Sequence, residues 1–104
     1  MTEPILTIGD KHFLIKLTRT FGIRKLYIEW SDSKAKWPDI WVELGKVPVI
    51  TVTQEWAKQG KDERRKRLVH ECLHIIGMEH DEKIGYSTIP ARDSYSMKIY
   101  RGLK

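Results

Sequence analysis

Three of the chain's four histidines, His70, His74 and His80, fall within the run His70-Glu71-Cys72-Leu73-His74-Ile75-Ile76-Gly77-Met78-Glu79-His80-Asp81. Their spacing, H-E-x-x-H-x-x-G-x-x-H, is the one a catalytic zinc site requires. Residues four apart on an α-helix share a face, with Cβ atoms about 5–6 Å apart, so His70 and His74 grip one ion from adjacent turns. Gly77 stops the helix, because only glycine enters the left-handed conformation without steric cost, and the reversed chain swings His80 in as third ligand. Three protein ligands leave the fourth tetrahedral position for water, with one zinc per chain. Glu71 flanks the two helical ligands, roughly 100° round the helix from His70, where a carboxylate reaches that water without ligating the metal. That is a general base's position for attack on a carbonyl.

A helical wheel of residues 62–77 puts Leu68, Val69, Cys72, Leu73, Ile75 and Ile76 on one broad arc, with His70 and His74 opposite. The histidines are thus expected off the apolar stripe. Cys72 is the single cysteine, so it forms no internal disulfide and is read as a small core residue rather than a redox group or ligand.

The extended motif resembles that of zincin metallopeptidases, in which Glu71 matches the general base and His70, His74 and His80 the zinc ligands. Metzincins share the full pattern, but Met97 here stands in Ser-Met-Lys-Ile-Tyr, with tyrosine at the third position instead of the second of their Met-turn. In size and layout the chain is similar to the minigluzincin family of small soluble peptidases. That likeness covers nearly the whole chain and is most specific over 70–90, where the motif continues into Gly85-Tyr86-Ser87-Thr88-Ile89-Pro90. It implies a zinc-dependent endopeptidase acting on a peptide or protein, which binds by strand addition at a rim strand, Asp39–Leu44 or its neighbour. It also implies latency, with 88–104 as an inhibitory C-terminal segment, in a monomer or a tail-swapped homodimer.

Further candidates are weaker. Tyr86 is the nearest phenol to assist an oxyanion, with Tyr95 and Tyr100 as rivals, and each suits plain packing equally well. Asp81 either orients a ligand histidine or caps the loop. Asp93 lies roughly where the broader gluzincin class carries an acidic group that ligates the metal or supports its ligands, and is a lesser candidate for the metal. His12 reads as a surface residue. Trp37 or Trp41 is a candidate for the substrate pocket, while most of the four tryptophans are expected in the core.

Two other classes compete. A bacterial endoribonuclease family of ribosomal RNA maturation carries a similar H-G-x-x-H-x-x-G-x-x-H, and the net charge of +5 would suit RNA. Glu71 stands where that family has glycine, which favours a peptidase and makes nucleic acid the lesser partner. A non-catalytic zinc-stabilised binding module would instead close the fourth metal position.

Length and composition bound the rest. A chain of 104 residues, 40% hydrophobic, makes one domain with a single modest core. No basic head precedes a long apolar run and nothing reaches the length of a membrane span, so a cytoplasmic protein is expected. The dense basic run Lys61–Arg67 opens the metal-site helix, where the helix dipole disfavours cations, and reads as a solvated face diluted by Asp62 and Glu63.

Positioning the site requires a scaffold. Asp10 is the expected N-cap of a helix through Phe21, stopped by Gly22. Strands follow at 25–30, 39–44 and 47–52, with Pro48 confining the third to an edge or to the strand's start. A short helical turn lies within 53–60, the metal-site helix spans 62–77, and a last helix runs from Pro90 to Tyr100 with Thr88 as cap. The order predicts an α+β fold, a small twisted three-stranded sheet packed on the N-terminal helix and the metal-site helix.

Overall fold

The computed structural model describes residues 6–36, 38–77 and 95–103. Helix α1 (Ile8–Phe21) buries Phe13, Leu14 and Leu17 along one face. Its cap is Thr7, whose Oγ1 accepts the Asp10 N–H at 3.0 Å, and not Asp10 as expected. Asp10 is taken up elsewhere. Its carboxylate, 1% exposed, accepts Arg64 Nε and Arg65 Nε at 2.9 Å each. Gly9 makes room for this, since a Cβ there would stand 2.6 Å from Arg65 Nη2. Gly22 ends the helix at φ +69, and the Ile23 N–H closes back on the Thr18 carbonyl at 2.9 Å.

Strands β1 (Tyr27–Ser31), β2 (Ile40–Glu43) and β3 (Val49–Thr53) form a mixed sheet in the order β1-β3-β2, with β1 parallel and β2 antiparallel to the central β3. The register aligns Ile28, Ile50 and Val42 in one row and Trp30, Val52 and Ile40 in the next, and both rows face the core. Each strand lies within two residues of its expected span. Pro48 immediately precedes the central strand, so the edge alternative fails and the start alternative holds. Its missing N–H falls outside the ladder, while its carbonyl accepts the Tyr27 N–H at 3.0 Å. Of the tryptophans, Trp56 is buried, Trp30 packs half-buried on the core, and Trp41 is half-buried on the other sheet face. Trp37 lies outside the described residues.

The one-turn helix α2 (Gln54–Ala57) is capped by Thr53 Oγ1 and seats Trp56, whose indole Nε1 donates to the Arg64 carbonyl at 3.2 Å. This ties it to α3 (Lys61–Ile75), which α4 (Tyr95–Leu103) crosses near its start. Tyr100 is buried, stacks obliquely on Phe13 with centroids 5.7 Å apart, and donates its hydroxyl to Asp62 in the first turn of α3. It is a packing residue. Asp62 is eight residues, about 12 Å, from His70 along the helix, so Tyr100 falls away as an oxyanion group. Helix α4 runs three residues past the expected end, and Lys16 Nζ donates to its Leu103 carbonyl at 3.2 Å. The expected start at Thr88 and Pro90 lies outside the described residues. His12 is exposed, as expected, and no described helix is long and apolar enough to cross a membrane.

The basic run is no solvated face. Arg64 and Arg65 pair with Asp10, Lys66 with Glu63 at 3.4 Å, and Arg67 is buried against Asp39. The unfavourable placement of guanidiniums at a helix N-terminus is offset by a buried carboxylate on α1, a partner 54 residues away that local sequence does not display.

Burial alone would raise the Asp10 carboxyl, but hydrogen bonds and charge from Arg64 and Arg65 overcome it and hold the group below its ordinary 3.8. A depressed carboxyl contributes stability above its unfolded value and loses it as pH falls through the folded one, so this contribution vanishes below about pH 4. Asp10→Asn is expected to lower unfolding free energy at pH 7 by about 3 kcal/mol and to flatten the acid limb below pH 4, read by urea melts at both pH values. An unchanged acid limb would show that Asp10 does not carry it.

Candidate active site

Helix α3 ends as the glycine spacing predicts. The Ile76 N–H bonds the Cys72 carbonyl at 3.2 Å, and Gly77, at φ +97, bonds the His74 carbonyl at 3.0 Å. Adjacent turns bring His70 and His74 together. Their rings meet edge to face, centroids 4.9 Å apart and planes 76° apart, with the two Nε2 atoms separated by 3.2 Å. Across that separation, two Zn–N bonds of about 2.0–2.1 Å subtend roughly 100–106°, close to the tetrahedral angle. The separation of the two nitrogens is therefore compatible with both ligating one zinc. The same distance suits one N–H···N hydrogen bond when a single ring presents its proton.

The helix is not one-sided as the wheel suggested. Arg67 through Leu73 are all buried, His70 at 6% and Glu71 at 8% exposure, while Ile75 is half-buried and Ile76 exposed. The apolar residues pack into the core, and Asp39, just ahead of β2, covers the side carrying Arg67 and Glu71. Among the described residues nothing hydrogen-bonds to the Glu71 carboxylate, which leaves it available to a water. Burial, and then the nearby Asp39 charge, push Glu71 up to about 8. A dication on the neighbouring imidazoles would oppose both effects. The result is a carboxyl of raised proton affinity next in sequence to one of two closely paired imidazoles.

Asp39 and Arg67 were not among the residues singled out by motif. Asp39 is 1% exposed and takes Arg67 Nη1 at 3.2 Å on Oδ1 and 3.0 Å on Oδ2, with Gln59 Nε2 donating alongside. The available signal was positional: Arg67 stands four residues before Glu71, on the same helix face.

His80, Asp81, Tyr86 and Asp93 lie outside the described residues. Among the described residues no cluster of three or more His, Cys, Asp or Glu side chains is arranged to hold a metal. Compared with family models, curated proteins and solved structures, the chain matches none.

Cys72 is fully buried, and burial followed by the Glu71 charge pushes its thiol up to about 12. As a core residue it should resist a thiol reagent at pH 8 in the folded protein and react once urea unfolds the chain. Rapid labelling of native protein would place it at an accessible surface instead.

Proposed function

We propose that this chain is a zinc-dependent endopeptidase of the minigluzincin kind, working on peptides or proteins in the cytoplasm. The observation that carries the reading is the pairing of two imidazole Nε2 atoms 3.2 Å apart with a buried carboxyl, Glu71, next to one of them in sequence. His70 and His74 would hold the ion, and His80 completes the ligand set by its motif position. Bound zinc supplies Lewis acidity toward the scissile carbonyl and a water. Glu71 takes the proton from the attacking water and returns it to the leaving amine, and its desolvated carboxyl suits it to hold that proton between the two events. Tyr86 is retained as the candidate that assists the oxyanion. The nuclease alternative gains nothing from the basic run, whose Arg64, Arg65 and Arg67 are engaged with internal carboxylates.

Latency through the segment 88–104 belongs to the same proposal. Tyr100, Ile99 and Leu103 pack into or against the core, so deleting everything from Thr88 removes core along with any inhibitor. A specific protease site introduced after Pro90 separates the two: nicking should raise peptidase activity while α4 stays docked, read by co-elution on gel filtration. No rise after complete nicking, in protein that remains folded, argues against latency by this segment.

Metal analysis is expected to find about one zinc per chain. Glu71→Gln should keep the zinc and lower kcat/KM on a fluorogenic peptide by about 10²–10⁴-fold. If that variant cleaves as fast as the parent, the mechanism fails.

A further inference from the structure

We propose that Asp39 and Arg67 form a clamp that sets the edge of β2 facing away from β3 at a fixed distance from His70 and Glu71, so that an extended peptide on that edge runs past the site. What binds the edge rests on the peptidase reading; the clamp itself rests on contacts within the chain. Asp39 immediately precedes β2. Its backbone carbonyl accepts both the N–H and the hydroxyl of Thr53, at 3.1 and 2.7 Å, tying it to the end of β3. Its carboxylate takes Gln59 from the turn before α3 and Arg67 from α3 itself.

Arg67 lies three residues before His70 and four before Glu71, one turn back on the same side of the helix. The start of β2 is therefore joined to the site helix within a turn of the reacting groups. Among the described residues β2 pairs on one side only, and α3 packs against β2 rather than chiefly against the other edge strand, β1. A strand added to β2 would take its spacing from this ion pair. Stability is a poor explanation for it. Buried ion pairs contribute little net stability, and Arg67 Nε is buried without a hydrogen-bond partner. One guanidinium nitrogen, Arg67 Nη1, shared between both carboxylate oxygens does fix the direction of the contact.

The test uses zinc-loaded protein carrying Glu71→Gln, which binds without cleaving, and a blocked alanine/leucine hexapeptide followed by tryptophan fluorescence. Adding Asp39→Asn or Arg67→Lys should leave zinc stoichiometry intact, raise the peptide Kd about tenfold or more, and speed amide exchange across Ile40–Glu43. Gln59→Ala, which removes one contact and spares the ion pair, should raise Kd about two- to threefold, and it decides the matter with Arg67→Lys if Asp39→Asn does not fold. With Glu71 restored, KM should rise while kcat stays within about threefold. Folded variants with parental Kd and parental β2 exchange overturn the clamp, as does a fall in kcat at constant KM, which would assign the pair to Glu71 instead. A parent that binds no hexapeptide also overturns it. Clamp-dependent binding by a parent that cleaves nothing upholds the clamp and defeats the peptidase reading; parental cleavage unaffected by the variants does the reverse.

Discussion

Among the described residues two carboxylates sit at about one per cent exposure, and neither would be tolerable there without the guanidiniums that α3 carries to it. Asp10 on α1 receives Arg64 and Arg65; Asp39 ahead of β2 receives Arg67. A desolvated charge is expensive unless paired and hydrogen-bonded, so these contacts are strict about geometry even where their net contribution to stability is small. The α3 helix is thereby fastened at its first turn to α1 and at its middle to the sheet. Trp56 and Tyr100 fill the remaining space around its N-terminal half, each with its polar atom satisfied on α3.

That fastening determines where the C-terminal half of α3 presents His70, Glu71 and His74. The imidazoles approach each other because the helix repeat makes them neighbours, whereas the environment of Glu71 comes from tertiary packing. A solvated glutamate would keep an ordinary acidity and be a poor base. Buried beside Asp39, the same side chain has its proton affinity raised, the direction that the proposed transfer of a proton from a water to an amine calls for. Structure and reactivity meet in one residue, Asp39, which both anchors Arg67 and biases Glu71.

Several features were legible from local chemistry. The α+β architecture followed from strand-period and helix-period patterns, since alternating residues such as Ile28, Trp30, Ile50 and Val52 have one face to bury. Gly22 and Gly77 announced helix ends because positive φ is local and glycine-specific. Local reasoning misassigned residues whose partners are distant. Asp10 has the right type for a cap, yet Thr7 caps and Asp10 turns to two arginines; the run Lys61–Arg67 has the composition of a wet face, yet most of it is engaged inside.

By itself, then, the amino-acid order determined the spacing of His70 and His74, the glutamate between them, the helix stop at Gly77 and the strand faces, because each depends on contacts within a few residues. The tertiary structure alone decided that β3 lies between β1 and β2, that Arg67 meets Asp39, that Tyr100 belongs to the core, and that Glu71 is desolvated. Those outcomes depend on charges and surfaces brought together from opposite ends of the chain, and a buried charge finds its partner only once the fold has closed around both.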